Sequence, residues 1–106
     1  MTKEFYALAE QLIKSLLDDF LDFLDLESVN AIEHYLNHGE YEMAFEGLFI
    51  ELIKADVSIS QNELNKYFEL GKDLNLDRDS VFDDGFWRKF LEFCCPVVPS
   101  RRPIEF

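Results

Sequence analysis

Residues 40–55, EYEMAFEGLFIELIKA, form the stretch that decides the fold. Apolar side chains recur in it every three to four positions, which is the period of an α-helix and not of a strand. The stretch therefore predicts a helix with one buried face. That inner face consists of Tyr41, Ala44, Phe45, Leu48, Phe49, Leu52 and Ile53.

The residues before this stretch predict two more helices. Residues 3–24 place their apolar side chains in one arc of about 180°, which predicts a long helix that packs against two or three neighbours. Asp19 falls inside the apolar arc, so it marks a kink, an edge or a functional carboxylate. Asp25 is a good N-cap for a second helix, which we expect to run to His38 and to stop at Gly39.

The residues after the stretch predict a link, a fourth helix and a turn. Residues 57–59 fit a short extended link. Residues 60–63, SQNE, match the capping box that begins a helix. We expect this helix to run to about Leu74 and to end with Asn75 in the left-handed conformation. Residues 77–80 then predict a turn or a short helix.

A last helix is predicted over residues 85–94, and a proline-containing tail follows it. All three prolines of the chain lie within residues 96–106, where they forbid regular helix and predict an irregular tail. No internal repeat or run of strands interrupts the helical pattern. The sequence therefore predicts an all-α, compact bundle of five or six helices, formed by residues 1–106 as a single domain.

The charge of the chain is strongly negative and unevenly distributed. There are 22 acidic and 10 basic side chains, a formal net charge of −12, which makes nucleic acid and anionic membranes improbable partners. Residues 1–59 hold 13 acidic and 3 basic side chains, whereas residues 60–106 hold 9 and 7. Solubility, halophilic habit or a basic partner could explain such acidity. The uneven distribution favours a basic partner, because halophilic habit would acidify the whole chain.

The composition and the termini indicate a folded cytoplasmic protein. Hydrophobic residues make up 48% of the chain, which is enough apolar surface to exclude disorder. The N-terminus is unlike a signal peptide, and no stretch has the roughly 18 apolar residues of a membrane span. Cys94 and Cys95 are adjacent and could form only a strained vicinal disulfide, so we expect two reduced thiols.

Candidate metal-binding and catalytic residues are few. His34 and His38 share one helix face at a spacing that can hold a transition metal, but the sequence places no third ligand beside them. Residues 77–84 resemble a calcium loop, yet they have Val81 and Phe82 where an EF-hand needs an oxygen ligand and glycine. No nucleophile turn, P-loop or dinucleotide-binding motif is present. We therefore expect no enzyme activity, no cofactor and no metal.

A ridge of carboxylates is the first candidate binding surface. Asp18, Asp22 and Asp25 lie at the helical spacing i, i+4, i+7 with no lysine or arginine between them. Like charges at this spacing repel each other, and a cationic partner would relieve the repulsion. A solvated helix face explains the pattern equally well.

A small apolar patch on the flank of the 40–55 helix is the second candidate surface. An apolar patch with an acidic border is typical of an interface with a basic protein. A second core contact of the same helix explains the apolar residues at least as well. The patch consists of Met43, Gly47 and Ile50, and its border consists of Glu42, Glu46 and Glu51.

Residues 38–53, HGEYEMAFEGLFIELI, resemble a segment of small bacterial immunity proteins of the MafI type. The resemblance covers about residues 25–92 and consists mostly of packing residues. Tyr41 stands where that family pattern often has Trp, and Phe49 stands where it often has Cys. The first helix and the tail lie outside it. Further matching positions are Ile59, Ser60, Glu63, Leu70, Gly71, residues 74–77, Trp87 and Leu91.

The resemblance implies a function for the chain. Such proteins, which include the CdiI-like proteins of contact-dependent growth inhibition systems, are cytoplasmic antidotes that bind the C-terminal domain of a toxin and block it. Many of these toxin domains are nucleases, whose clefts are cationic because they hold phosphates. An acidic protein can occupy such a cleft or cover its rim.

We therefore predict an immunity protein that forms a 1:1 complex with a cognate basic toxin domain, with an RNase favoured. The alternative is an acidic nucleic-acid mimic or an adaptor that binds another basic protein. A small metal protein that uses His34 and His38 is a third hypothesis. The predicted toxin-binding residues are Asp18, Asp22, Asp25, Glu40, Tyr41, Glu42, Met43, Glu46 and Ile50.

Overall fold

Residues 3–94, the part of the chain that the computed structural model describes, form five α-helices and no strand. The prediction of an all-α bundle is therefore confirmed. A 3-10 turn, Leu21–Phe23, lies between the first two helices. The predicted irregular tail, residues 96–106, lies outside the described residues, as does Cys95. The helices are α1 (Lys3–Asp19), α2 (Leu26–Asn37), α3 (Tyr41–Ala55), α4 (Gln61–Asp73) and α5 (Phe86–Cys94).

Helix α3 is the centre of the packing. It contacts α1, α2 and α5, while α4 packs against α5. The middle of its inner face is fully buried, as the apolar period predicts for a helix surrounded by others, while Tyr41 and Ile53 at its two ends are half-buried. The residues of α3 with no exposed apolar surface are Ala44, Phe45, Leu48, Phe49 and Leu52.

Aromatic rings fill the space between α3 and α5. The ring of Phe49 lies 4.8 Å from that of Phe45 and 4.9 Å from that of Phe90, measured between centroids. These separations are within the range at which aromatic pairs attract each other beyond simple burial of area. The buried ring cluster therefore joins the two helices.

A buried tyrosine ties α4 to α1. Tyr67 is almost fully buried, and its hydroxyl donates a hydrogen bond of 2.9 Å to the carbonyl oxygen of Leu12. Burial raises the pKa of the Tyr67 phenol to about 12, and the negative charges of Glu63 and Asp19 act in the same direction. The neutral phenol is thus the form that the fold requires.

The predicted helix ends agree with the structure at four positions. Asp25 is the N-cap of α2 and accepts a hydrogen bond from the Ser28 amide at 2.7 Å, and Ser60 is the N-cap of α4. Gly39 and Asn75 both have positive φ, at 71° and 65°, just beyond the ends of α2 and α4. Capping chemistry therefore gave the boundaries of the inner helices correctly.

The first helix is shorter than predicted. The sequence predicted a helix over residues 3–24, whereas α1 ends at Asp19 and the 3-10 turn follows. Asp19, which breaks the apolar arc, marks this end. Within residues 3–94 no helix is long and apolar enough to cross a membrane.

Candidate functional site

Residues 18–27 make a tight connection between α1 and α2, which we call the α1–α2 corner. The amide of Phe23 donates to the carbonyl of Phe20 at 3.0 Å, and the amide of Leu24 donates to that of Leu21 at 3.2 Å. Leu24 is then extended, with φ −118° and ψ 147°, and Asp25 caps α2. The corner is therefore fixed by backbone hydrogen bonds at one end and by a cap at the other.

The corner divides its apolar side chains between the core and the surface. Phe20 and Leu24 pack against the core. Leu21, Phe23 and Leu26 are 41%, 61% and 74% exposed. Leu26 is the first residue of α2.

Sequence reasoning missed these exposed side chains. The helical pattern assigned Phe23 to the buried arc, which is wrong, and it left Leu21 and Leu26 out of every candidate surface. A 3-10 turn advances about 120° per residue instead of 100°, so the buried face of α1 does not continue through it. The irregularity at Asp19 was the one sequence feature that pointed to the change.

Three exposed apolar side chains within residues 21–26 call for an explanation. Burying a Leu or Phe side chain completely stabilises a protein by about 1.5–3 kcal/mol. The three side chains of this segment are only partly buried, so folding gains only part of that stabilisation from them. Single hydrophobic residues on a surface are common, whereas grouped ones mark interaction sites. The corner is therefore the best candidate for a binding surface.

The three predicted carboxylates of the ridge all lie at this corner and are all exposed. They do not form a ridge along one helix, and that part of the prediction is wrong. Asp18 is in the last turn of α1, Asp22 is in the 3-10 turn, and Asp25 is the N-cap of α2. Hydrogen bonds from Ser28 hold the pKa of Asp25 below its usual value of 3.8.

The end of α1 carries charge of the unfavourable sign. Asp18 and Asp19 lie in the last turn, which has no basic side chain. The carboxyl end of a helix is electronegative, so an acid there is disfavoured by roughly 0.3–1 kcal/mol when it is exposed to solvent. A cation bound at the corner would remove this penalty.

The acids around the corner are not neutralised by the chain itself. Residues 15–53 contain ten Asp or Glu and no Lys or Arg. Within residues 3–94, the acids that form ion pairs are Glu51, Glu63, Asp83 and Glu92, and of these Glu51, which pairs with Lys54, belongs to this region. Residues 15–53 therefore present a strongly acidic surface, beside which Lys54 pairs with Glu51 and adds to the effect of the Ser28 hydrogen bonds in lowering the pKa of Asp25.

The second predicted surface, at the start of α3, is only partly exposed. Glu40 and Glu42 are exposed, whereas Tyr41, Met43 and Ile50 are half-buried. Tyr41 and Ile50 pack against the core, and Tyr41 also stacks on Tyr6 with ring centroids 5.6 Å apart. The apolar members therefore serve the packing at least in part.

Gly47, the middle of the predicted apolar patch, is covered by two other elements. A Cβ atom at this position would lie 3.9 Å from Ile32 of α2 and 3.9 Å from the ring of Phe82. The ring of Phe82 in turn lies 6.0 Å from that of Tyr35. This flank of α3 is thus a packing contact, which was the alternative interpretation of the pattern.

Glu46 is buried and does not belong to any surface. Its side chain is 0% exposed, and its two carboxylate oxygens accept hydrogen bonds from three successive backbone amides. The distances are 2.7 Å to Val81, 2.8 Å to Phe82 and 2.9 Å to Asp83. The prediction that Glu46 supplies charge to a partner is therefore wrong, because the loop over residues 81–83 occupies both of its oxygens.

Nothing in the sequence of α3 distinguishes Glu46 from its exposed neighbours. The hydrogen bonds to Glu46 come from three backbone N–H groups, and every residue except proline has such a group. The loop that carries them is 35 residues away along the chain. The contact is visible only once α3 and the loop are placed side by side.

Neither the paired histidines nor the acidic loop forms a metal site in the described residues. The rings of His34 and His38 are 4.2 Å apart, and Nδ1 of His38 lies 2.8 Å from the carbonyl oxygen of His34. Asp83 accepts hydrogen bonds from Lys89 at 2.7 Å and from the Gly85 amide at 2.9 Å, and these lower its pKa, Lys89 most strongly. Within residues 3–94 no three potential metal ligands come together.

Comparison with known protein families, curated proteins and solved structures finds no match to this chain. The resemblance to immunity proteins therefore rests on the residues quoted for it. The functional argument rests on the α1–α2 corner and on the charge of the chain around it.

Proposed function

We propose that this chain is an immunity protein that binds and neutralises the C-terminal toxin domain of a polymorphic or contact-dependent growth inhibition toxin. The observation that carries the proposal is the acidic surface of residues 15–53, which has nine acids besides the buried Glu46 and no Lys or Arg. A basic nuclease domain is the partner that such a surface suits, and an RNase is the first candidate. The MafI-type resemblance of residues 38–53 supports the same function.

Charge explains how such a protein finds its partner quickly. Complementary fields steer two proteins together and raise the association rate, and added salt weakens the effect. Once the proteins are in contact, the acidic surface occupies the cationic cleft or covers its rim, where RNA phosphates would otherwise bind. The toxin domain then loses access to its substrate.

The proposed mode of action is stoichiometric binding and not catalysis. One immunity protein binds one toxin domain in the cytoplasm, without a cofactor or a metal. Tyr41 stacks on Tyr6 near the start of α1, so the start of α3, with Glu40, Tyr41, Glu42 and Met43, lies at the other end of α1 from the corner. The proposed contact area is therefore the corner. The exposed carboxylates Asp18, Asp22 and Asp25 supply the charge at its centre.

A co-expression experiment tests the proposal. The toxin domain encoded beside this chain's gene is expressed in bacteria with and without the chain, and growth is followed. We expect the chain to restore growth and the two purified proteins to form a 1:1 complex by titration calorimetry. Failure to restore growth, together with no detectable complex, would contradict the immunity function.

Two charge-reversed variants show whether the acidic corner is responsible. Asp18→Lys with Asp22→Lys should weaken binding at least about tenfold, because a close charge pair across an interface can contribute about 1.5 kcal/mol or more and about 1.4 kcal/mol is a tenfold change in affinity. Asp77→Lys with Asp79→Lys is the matched control, since both residues are exposed beyond α4. Equal weakening by both variants would mean that net charge, and not the corner, determines binding.

The same proteins separate the alternative function. A nucleic-acid mimic would bind basic host proteins and compete with duplex DNA for them, and it would give no protection from the toxin domain. An immunity protein protects cells against the toxin domain. Duplex DNA added to the purified host proteins has no bearing on that protection. Growth restoration therefore distinguishes the two functions directly.

A further inference from the structure

We propose that Leu21, Phe23 and Leu26 of the α1–α2 corner are the apolar contacts through which the toxin domain docks. The partner surface would be an apolar pocket or groove bordered by Lys and Arg side chains. This inference rests on the proposed function and names the docking surface for it. None of the three residues was a candidate from the sequence.

The corner holds these side chains in place before any partner binds. Phe23 is supported by the ring of Phe20, which lies 5.8 Å away between centroids and itself packs against the core. Leu26 follows Asp25, the N-cap residue of α2, whose carboxylate accepts a hydrogen bond of 2.7 Å from the Ser28 amide. Because the backbone of the corner is already fixed by hydrogen bonds, binding orders only the side chains and the loop itself loses little conformational freedom.

The charge around the three residues determines the kind of partner. Asp18, Asp22 and Asp25 are interspersed with them along the chain, and Glu27 follows in the first turn of α2. An apolar centre with a polar border is the usual arrangement of a protein interface. These four side chains are negative and outweigh Lys54, whose charge adds to the effect of the Ser28 hydrogen bonds in lowering the pKa of Asp25, so the complementary border on the partner is positive.

A second exposed apolar pair, Val81 and Phe82, does not have these properties. They are 44% and 48% exposed, but Phe82 packs beside Tyr35, and the loop is held from behind by Glu46. The charges near it in sequence are of both signs, and Lys89 pairs with Asp83 at 2.7 Å. No net charge therefore marks this loop as a site for a basic partner.

Apolar-to-acidic substitutions at the corner test the proposal. The double variant Phe23→Asp, Leu26→Asp adds negative charge, which should favour encounter with a basic toxin domain. It also removes the apolar contacts, so any loss of affinity is due to the contacts and not to the charge. We expect the dissociation constant for the purified toxin domain to rise at least about 100-fold, as for residues at the centre of an interface.

Two further variants serve as controls. Leu91→Asp makes the same change at an exposed leucine on α5 and should leave the dissociation constant within about threefold. Phe23→Leu, Leu26→Met keeps the corner apolar and should stay within about tenfold. Thermal unfolding followed by circular dichroism should give the corner variants melting temperatures close to that of the parent protein, since Phe23 and Leu26 are largely exposed. It also checks that Leu91→Asp, at a side chain that is 38% exposed, is folded at the temperature of the binding measurement.

The outcomes separate this inference from the proposed function. If the parent protein binds the toxin domain and the double variant binds equally tightly, the corner is not the docking surface, while the immunity function stands. If Leu91→Asp weakens binding as much as the double variant does, the assignment of the surface is also wrong. If the parent protein does not bind the toxin domain, the proposed function and the docking surface both fail.

Discussion

The α1–α2 corner and the contact between α3 and the 81–83 loop use acidic side chains in opposite ways. At the corner, Asp18 and Asp22 are exposed, and no basic side chain of the described residues pairs with them. In the loop contact, Glu46 is completely buried and accepts three backbone hydrogen bonds. The net charge of the chain counts these carboxylates alike, although the two places give them different roles.

The difference shows which acids the fold needs and which it merely tolerates. A buried carboxylate with three N–H donors stabilises the structure, because removing it leaves those donors without a partner. Exposed carboxylates at the electronegative end of α1 slightly destabilise it. The fold therefore depends on Glu46 and on the capping carboxylate of Asp25, whereas it does not need Asp18 and Asp22.

Substitution of Glu46 should have the largest effect on stability. Glu46→Ala removes the acceptor of the Val81, Phe82 and Asp83 amides and leaves a cavity, so we expect a loss of about 3 kcal/mol or more. Chemical denaturation measures the free energy of unfolding. Glu42→Ala is the matched control, since Glu42 is exposed on the same helix, and its effect should be within about 0.5 kcal/mol. A loss below 1 kcal/mol for Glu46→Ala would contradict the structural role.

A methyl group at Gly71 should have the next largest effect. Its Cβ would lie 2.7 Å from the Trp87 ring and 3.2 Å from the ring of Phe45, which is too close for either. Gly71→Ala should therefore destabilise the protein by about 1–3 kcal/mol, even though alanine favours helices. The fluorescence of Trp87, the chain's one tryptophan, should change with it. Gly47→Ala, where a Cβ has room at 3.9 Å, should be neutral or stabilising.

The buried phenol of Tyr67 gives a smaller, pH-dependent effect. Its pKa is raised to about 12 in the folded protein, from an ordinary value of 10.0. The folded state therefore holds the proton more tightly, so this contribution to stability is complete below pH 10 and decreases as the pH rises towards 12. Ultraviolet titration should show a late phenol ionisation near pH 12. Tyr67→Phe should abolish that late step, and its persistence would contradict the assignment.

Neutralising the corner should have the smallest effect on stability. Asp18→Asn with Asp22→Asn removes repulsion and an unfavourable helix-end charge, so stability should stay the same or rise by up to about 1 kcal/mol. The same variant should bind the toxin domain more weakly and with less dependence on salt concentration. A clear loss of stability would mean that these acids, like Glu46, are structural.

The sequence predicted the helices of the fold well because local chemistry sets their ends. Asp25, Ser60, Gly39 and Asn75 lie at the boundaries that their capping preferences predict. The apolar period also identified the buried face of α3 correctly. These features depend on neighbouring residues, which a sequence shows directly.

The candidate site was predicted only in part, because two of its features depend on more than local pattern. Asp18, Asp22 and Asp25 were correctly predicted to be exposed. The prediction extended the period of an α-helix through the 3-10 turn, however, and therefore placed Phe23 on the buried face of the helix instead of on the surface. Glu46 was mistaken for a surface residue because its partners are backbone amides of a distant loop. Tertiary packing, and not residue type, decides both cases.

Amide hydrogen exchange of the protein alone and in complex with the toxin domain tests the central claim most directly. We predict slower exchange on binding in peptides that cover residues 18–27, and unchanged exchange in the loop over residues 78–85. Protection at the loop with none at the corner would contradict the account. That result would place the partner on the loop over residues 81–83, which is hydrogen-bonded to Glu46.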